Sequence, residues 1–144
     1  MTNAQRKPEP ARSQEESAYV RNQLIAYNAS RLPESIRDRY EEIHLIQRDA
    51  EGTIVGGLLS EYCWQWIEVH ILWVDENCRR EGHGTALLEE IERIAREKQC
   101  SFIKLNTFSF QAPDFYKKHG YAELAVIDNA PLEHRHYYFI KRIS

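Results

Sequence analysis

The chain has 144 residues, of which 42% are hydrophobic and 28% charged, and its formal net charge is -3 at pH 7. These are the values of one globular domain able to bury a single core; no apolar run approaches the roughly 18 residues of a membrane-spanning helix, and the acidic balance gives no domain-wide attraction for nucleic acid or anionic lipid. Three scattered cysteines, Cys63, Cys78 and Cys100, suggest neither a disulfide framework nor a zinc site and fit a reducing cytoplasm.

Met1 to Glu16 is polar, carries Pro8 and Pro10, lacks the apolar segment of a signal peptide and reads as a flexible leader, with the domain over residues 17–144. No strand pattern precedes the first helix, which the spacing of Tyr19-Val20, Leu24-Ile25 and Tyr27 places at Ser17 to Ala29, with Ser17 as its cap. Ile43, Leu45 and the stretch Thr53 to Leu59 flank the turn signal Asp49 to Gly52 and predict a hairpin. A third strand follows over Ile67 to Val74, and strict alternation puts Ile67, Val69, Ile71 and Trp73 on one face and Glu68, His70, Leu72 and Val74 on the other.

The clearest helix is Gly82 to Lys98: Leu87, Leu88, Ile91, Ile94 and Ala95 form its apolar stripe, and Glu89 with Arg93 and Glu92 with Arg96 are expected to pair on its wet side. Phe102 to Leu105 reads as a strand parallel to the one before this helix. A short helix is expected over Pro113 to His119, ended by Gly120, followed by two paired strands over Tyr121 to Ile127 and His136 to Ile143.

Chemistry concentrates in Arg79-Arg80-Glu81-Gly82-His83-Gly84-Thr85, between a strand and the best helix. Glycines let a ligand approach the backbone, the first helical turn leaves N–H groups unpaired, and the helix dipole favours negative charge, so this segment suits a pyrophosphate. It fails as a dinucleotide fingerprint, because Leu87 stands where the third glycine belongs, and no Gly-Lys-Ser/Thr follows. Two glycines alone also suit a plain turn that starts a helix.

Arg-x-x-Gly-x-Gly opening a helix after a strand ending in Leu72-Trp73-Val74 resembles the acetyl-CoA signature of the GNAT acetyltransferases. A second block, with Ala112, Tyr116, Gly120 and Tyr121, is similar to that superfamily's Ala-x-x-x-Tyr-x-x-x-Gly-Phe/Tyr pattern. The resemblance implies an α/β fold: a mixed, mostly antiparallel sheet with helices on both faces and a central parallel strand-helix-strand unit. It implies an N-acetyltransferase that uses acetyl-CoA in a direct, ternary-complex transfer to an amine of a small molecule or peptide, with no nucleic-acid or membrane partner and a homodimer left open. It also implies cofactor contacts from Leu72, Trp73, Val74, Arg79, Arg80, Glu81, Gly82, His83, Gly84, Thr85, Ser109 and Ala112, an oxyanion donor in the backbone near Val74, and Tyr116 as the acid that protonates the leaving sulfur. His83 and Ser109 depart from the family's usual residues.

Glu68 and His70 stand where some members carry a base, and either could also only rim the pocket. His134 and His136 have strand spacing but no third ligand, so no metal is expected. Tyr62, Trp64 and Trp66 either line an acceptor pocket or pack the hairpin end. The rival reading is a catalytically silent acyl-CoA-binding module that senses cofactor or holds a partner protein.

Overall fold

The computed structural model describes residues 6–144, which fall into two compact units, one ending at Asp38 and one spanning Arg39–Ser144. In the first, α1 (Gln14–Arg31) begins before the expected position, and Ser13 rather than Ser17 is its cap: the hydroxyl accepts a hydrogen bond from the Glu16 N–H. Residues 14–16 therefore belong to the helix and not to the leader, and residues 1–5 of that leader lie outside the described residues. Leu32 takes extended backbone, the conformation forced on a residue before proline, and ends the helix. One further turn, α2 (Glu34–Arg37), follows Pro33.

The second unit is built on a six-stranded sheet ordered β1-β2-β3-β4-β6-β5. Its strands are β1 (Tyr40–Arg48), β2 (Ile54–Cys63), β3 (Trp66–Val74), β4 (Phe102–Phe108), β5 (Ala122–Ile127) and β6 (His136–Arg142). Every neighbouring pair is antiparallel except β3 and β4, which are joined in parallel through α3 (His83–Glu97). A strand, helix, strand unit thus sits at the centre of a mostly antiparallel sheet, as the resemblance implies. β6 lies between β4 and β5, and α4 (Pro113–Lys118) leads from β4 towards β5, with Gly120 at φ 88 making the turn.

The core contains Leu87, Leu88, Ile91 and Ala95 of α3 with Leu58, Ile67, Val69, Ile103, Leu105 and Phe139 of the sheet. Ile94, expected in the stripe, is only partly buried. Glu92, expected on the wet side paired with Arg96, is 6% exposed. It accepts hydrogen bonds from Tyr121 and Lys141 beneath the helix, while Arg93 bonds Glu90 and Glu97 rather than Glu89. The stripe fills with a carboxylate at this point because β6 presents an ammonium opposite it.

The alternation along β3 also breaks. Leu59 pairs with Ile71 and Ser60 with Val69, so His70 is an extra residue, a β-bulge. Beyond it the faces exchange: Leu72 and Val74 join Ile67 and Val69 on the α3 side, while Ile71 and Trp73, expected there, are 52% and 47% exposed. One inserted residue in a period of two has this effect on everything that follows. Tyr62, Trp64 and Trp66 pack the hairpin end, with Tyr62 buried, Trp66 stacked on Phe102 at 5.5 Å and Trp64 edge-on to Trp66 at 5.6 Å.

Candidate active site

The parallel ladder between β3 and β4 begins at Trp66 with Phe102 and stops at Val69 with Leu105. β3 continues to Val74 and β4 to Phe108, so the strands part over their C-terminal ends and their facing N–H and C=O groups carry no ladder bonds there. The departure point is the bulge at His70. Past Val74, Asp75 caps a short 3₁₀ turn by accepting from the Asn77 N–H at 2.8 Å. The chain then reaches α3 through two left-handed residues, Arg80 at φ 73 and Gly82 at φ 87. For Arg80 this conformation is strained, and it turns the backbone ahead of the helix.

A cavity of about 580 Å³ opens at this turn. Leu72 and Val74 line it from the sheet, and Arg79, Arg80, Gly82, His83, Gly84 and Thr85 form the basic, amide-rich side. Ala112, Phe115 and Tyr116 close the other wall. Among the described residues nothing lies within 4 Å of where a Gly82 Cβ would stand, so the space before it is open to a ligand. Gly84 differs: a Cβ there would meet the Phe115 ring at 3.3 Å, so this glycine lets α3 and α4 approach each other.

Tyr116 is 7% exposed, and burial pushes its phenol up to about 12. Among the described residues its hydroxyl has no hydrogen-bond partner, yet it is not sealed from solvent. It is therefore a neutral phenol in the cavity wall. His83 is bonded to Glu81 at 3.1 Å, and Glu81 does not line the cavity.

Four other sequence candidates, Trp73, Ser109, Glu68 and His70, lie outside this lining. The Trp73 side chain is on the opposite sheet face. Ser109 Oγ accepts from the Arg135 N–H at 2.9 Å and lies 3.3 Å from His134 Nδ1, so it holds the loop before β6. Glu68 and His70 are on the face away from α3, where Glu68 pairs with Lys104 at 3.2 Å and His70 with Glu61 at 3.3 Å. His136 is bonded to Asn106 at 3.0 Å, and among the described residues no group of three or more side chains could hold a metal ion.

Gln111, Phe110 and Lys118 line the cavity without having been singled out from the sequence. Gln111 accepts from the Phe108 N–H at 2.9 Å and from Thr107 at 3.1 Å, capping the free end of β4. Its place directly before Ala112 was the available signal.

The chain is similar in sequence and in fold to known acetyltransferases. An acetyltransferase from Bacillus cereus ATCC 14579 is 42% identical, superposes with a TM-score of 0.87, and covers 94% of this chain and 97% of its own. Blasticidin-S acetyltransferase of Streptomyces morookaense is 41% identical over 81 residues, 56% of this chain and 60% of that protein, so the chain spans less than two thirds of that relative. An aminoglycoside 6'-N-acetyltransferase complexed with coenzyme A shares the fold at a TM-score of 0.62 and 20% identity, over 77% of each chain. The sequence profile described as the acetyltransferase (GNAT) family matches residues 4–121, which takes in the parted strands, the arginine-glycine turn and the tyrosine block together: the chain belongs to the GNAT acetyltransferase family.

Proposed function

We propose that the chain is an acetyl-CoA-dependent N-acetyltransferase acting on a small-molecule amine, with both substrates bound at once. The observation that carries this reading is the continuous cavity running from the α3 N-terminus to Tyr116. Acetyl-CoA supplies an acyl thioester whose sulfur leaves as a thiolate. Arg79, Arg80 and the unpaired N–H groups of His83, Gly84 and Thr85 hold its pyrophosphate, by charge and by the helix dipole. The free backbone of Leu72 and Val74 offers strand-like pairing to the amides of the pantetheine arm, while Trp73 between them pairs with Gly57 of β2, and the Val74 N–H steadies the carbonyl oxygen. Tyr116, kept protonated by burial, donates to the leaving sulfur. Glu81 and Ser109 act at one remove, by fixing His83 and the loop before β6.

With the cofactor on the α3 side, the amine reaches the carbonyl from the other side of the sheet, through the gap between β3 and β4. Glu68 and His70 stand on that side and are the candidates to take its proton. A row of rings borders the same gap: Phe110, which also lines the cavity, stacks on Phe108 at 5.3 Å, and Phe108 stacks on His136 at 4.3 Å. Such a wall suits an amine that carries a planar group. The relative named for blasticidin S supports a small-molecule acceptor.

Thiol release from acetyl-CoA tests the reading. Turnover is expected with a panel of amines, at lower KM for tyramine and tryptamine than for n-hexylamine. Tight coenzyme A binding without thiol release across the panel would establish a sensor instead.

A further inference from the structure

One wall residue of the cavity is bonded to a side chain that does not line it. Thr85 Oγ1, in the first turn of α3, lies 3.2 Å from Nε2 of His119, the residue after α4. A threonine hydroxyl has one proton to give, whereas an imidazole nitrogen either donates or accepts according to whether it carries hydrogen. If Nε2 is bare, Thr85 donates to His119 and shows the cavity only lone pairs, which repel an anion. If Nε2 carries hydrogen, His119 donates to Oγ1 and the Thr85 proton is free for a phosphate oxygen.

We propose that His119 is a positioning residue for anion binding: with a phosphate-bearing ligand in the cavity it donates from Nε2 to Thr85 Oγ1 and so makes the Thr85 hydroxyl a donor to that ligand. This rests on the reading of the cavity as a pyrophosphate site. His119 is well held for the task. Its carbonyl accepts from Lys141 Nζ at 2.8 Å, and its ring sits 4.7 Å from that of Phe115. The charged groups around it come from three elements. Glu92 of α3 is taken by Lys141 and Tyr121, Lys118 of α4 lines the cavity, and Lys141 of β6 is bonded to Glu92 and to the His119 carbonyl. A ligand phosphate is then the anion that favours hydrogen at Nε2, relayed through Thr85.

Nitrogen-15 spectra of histidine-labelled protein, read with and without coenzyme A, give the state of Nε2 directly, and calorimetry gives affinity. With coenzyme A bound, His119 Nε2 is expected to carry hydrogen. His119→Leu and Thr85→Val are each expected to weaken coenzyme A binding about 10-fold, the size of a lost hydrogen bond to a charged group. His119→Gln, whose amide N–H reaches the same position, and Thr85→Ser are expected to bind as the unaltered protein does, and the double variant His119→Leu/Thr85→Val no more weakly than Thr85→Val alone. A bare Nε2 in the complex, full affinity in His119→Leu, or losses that multiply in the double variant would each overturn the proposal. Failure of the unaltered protein to bind coenzyme A at all would instead overturn the pyrophosphate reading beneath it.

Discussion

Lys141 of β6 and Glu92 of α3 form a 2.7 Å ion pair beneath the helix, and the second carboxylate oxygen of Glu92 takes the Tyr121 hydroxyl at 3.2 Å. Helix, last strand and the start of β5 are thereby tied at one carboxylate. Removing one member of a mostly buried pair leaves the other uncompensated, so Glu92→Ala should cost about 2 to 3 kcal/mol in denaturant unfolding. Glu92→Leu with Lys141→Met, which removes both charges together, should cost less than Glu92→Ala alone. Equal losses would mean that the pair contributes little beyond its volume.

Tyr116→Phe keeps the ring and removes the proton. Turnover should fall by about 10²- to 10⁴-fold with coenzyme A affinity unchanged, as general-acid catalysis requires. The same phenol carries a stability signature. Its folded-state pKa of about 12 lies above the ordinary value of 10.0, so its contribution is full below pH 10 and is lost as the pH rises to 12. Tyr121, shifted the same way by burial and by Glu92, adds to the loss. Alkaline unfolding followed from pH 9 to about 12 should therefore be shallower in Tyr116→Phe than in the unaltered protein.

The two glycines of the turn should fail differently. Gly84→Ala puts a methyl 3.3 Å from Phe115 and should lower the melting temperature as α3 and α4 are pushed apart. Gly82→Ala meets open space but forces φ 87 on alanine, so its stability loss should come from backbone strain alone, about 1 kcal/mol. Coenzyme A affinity should drop in Gly82→Ala through the displaced first turn. Thermal unfolding and calorimetry on both variants separate the two effects.

An alkyl ammonium titrates near pH 10, so only about a thousandth of it is neutral at pH 7 and a base should raise the rate. If His70 is that base, His70→Gln loses the acidic limb of the pH–rate profile, while Glu68→Gln changes mainly acceptor KM. The reverse pattern assigns the role to Glu68. Both single variants and the double variant keeping full turnover would remove both residues from the chemistry.

Element order, the parallel pair and the arginine-glycine turn were legible because they rest on periodicity and on glycine placement, which are local. The faces of β3 were not, since the bulge at His70 is set by pairing with Leu59 and Ser60 of β2, and no feature of Glu68-Val69-His70-Ile71 alone marks an extra residue. Glu92 misled for a related reason. Helical spacing places a carboxylate on the wet side by default, and only the distant Lys141 and Tyr121 make its burial tolerable. Ser13 was missed as a cap because apolar periodicity starts at Tyr19, a turn and a half after the helix does. For Gly84, a ligand-contacting glycine and a helix-packing glycine look the same in sequence.

The placement of β6 between β4 and β5 bears on how the protein is synthesised. Among the described residues β5 has no strand partner other than β6, and one edge of β4 stays open until the same strand arrives. On the ribosome, β4 with its apolar Phe102, Ile103 and Leu105 emerges long before the residues that cover it. Until Phe139 takes its place, the nascent chain presents an unpaired strand edge to its neighbours, the feature that invites chain-to-chain pairing. Slow translation between β5 and β6 would lengthen that exposure, and chaperone dependence should track it.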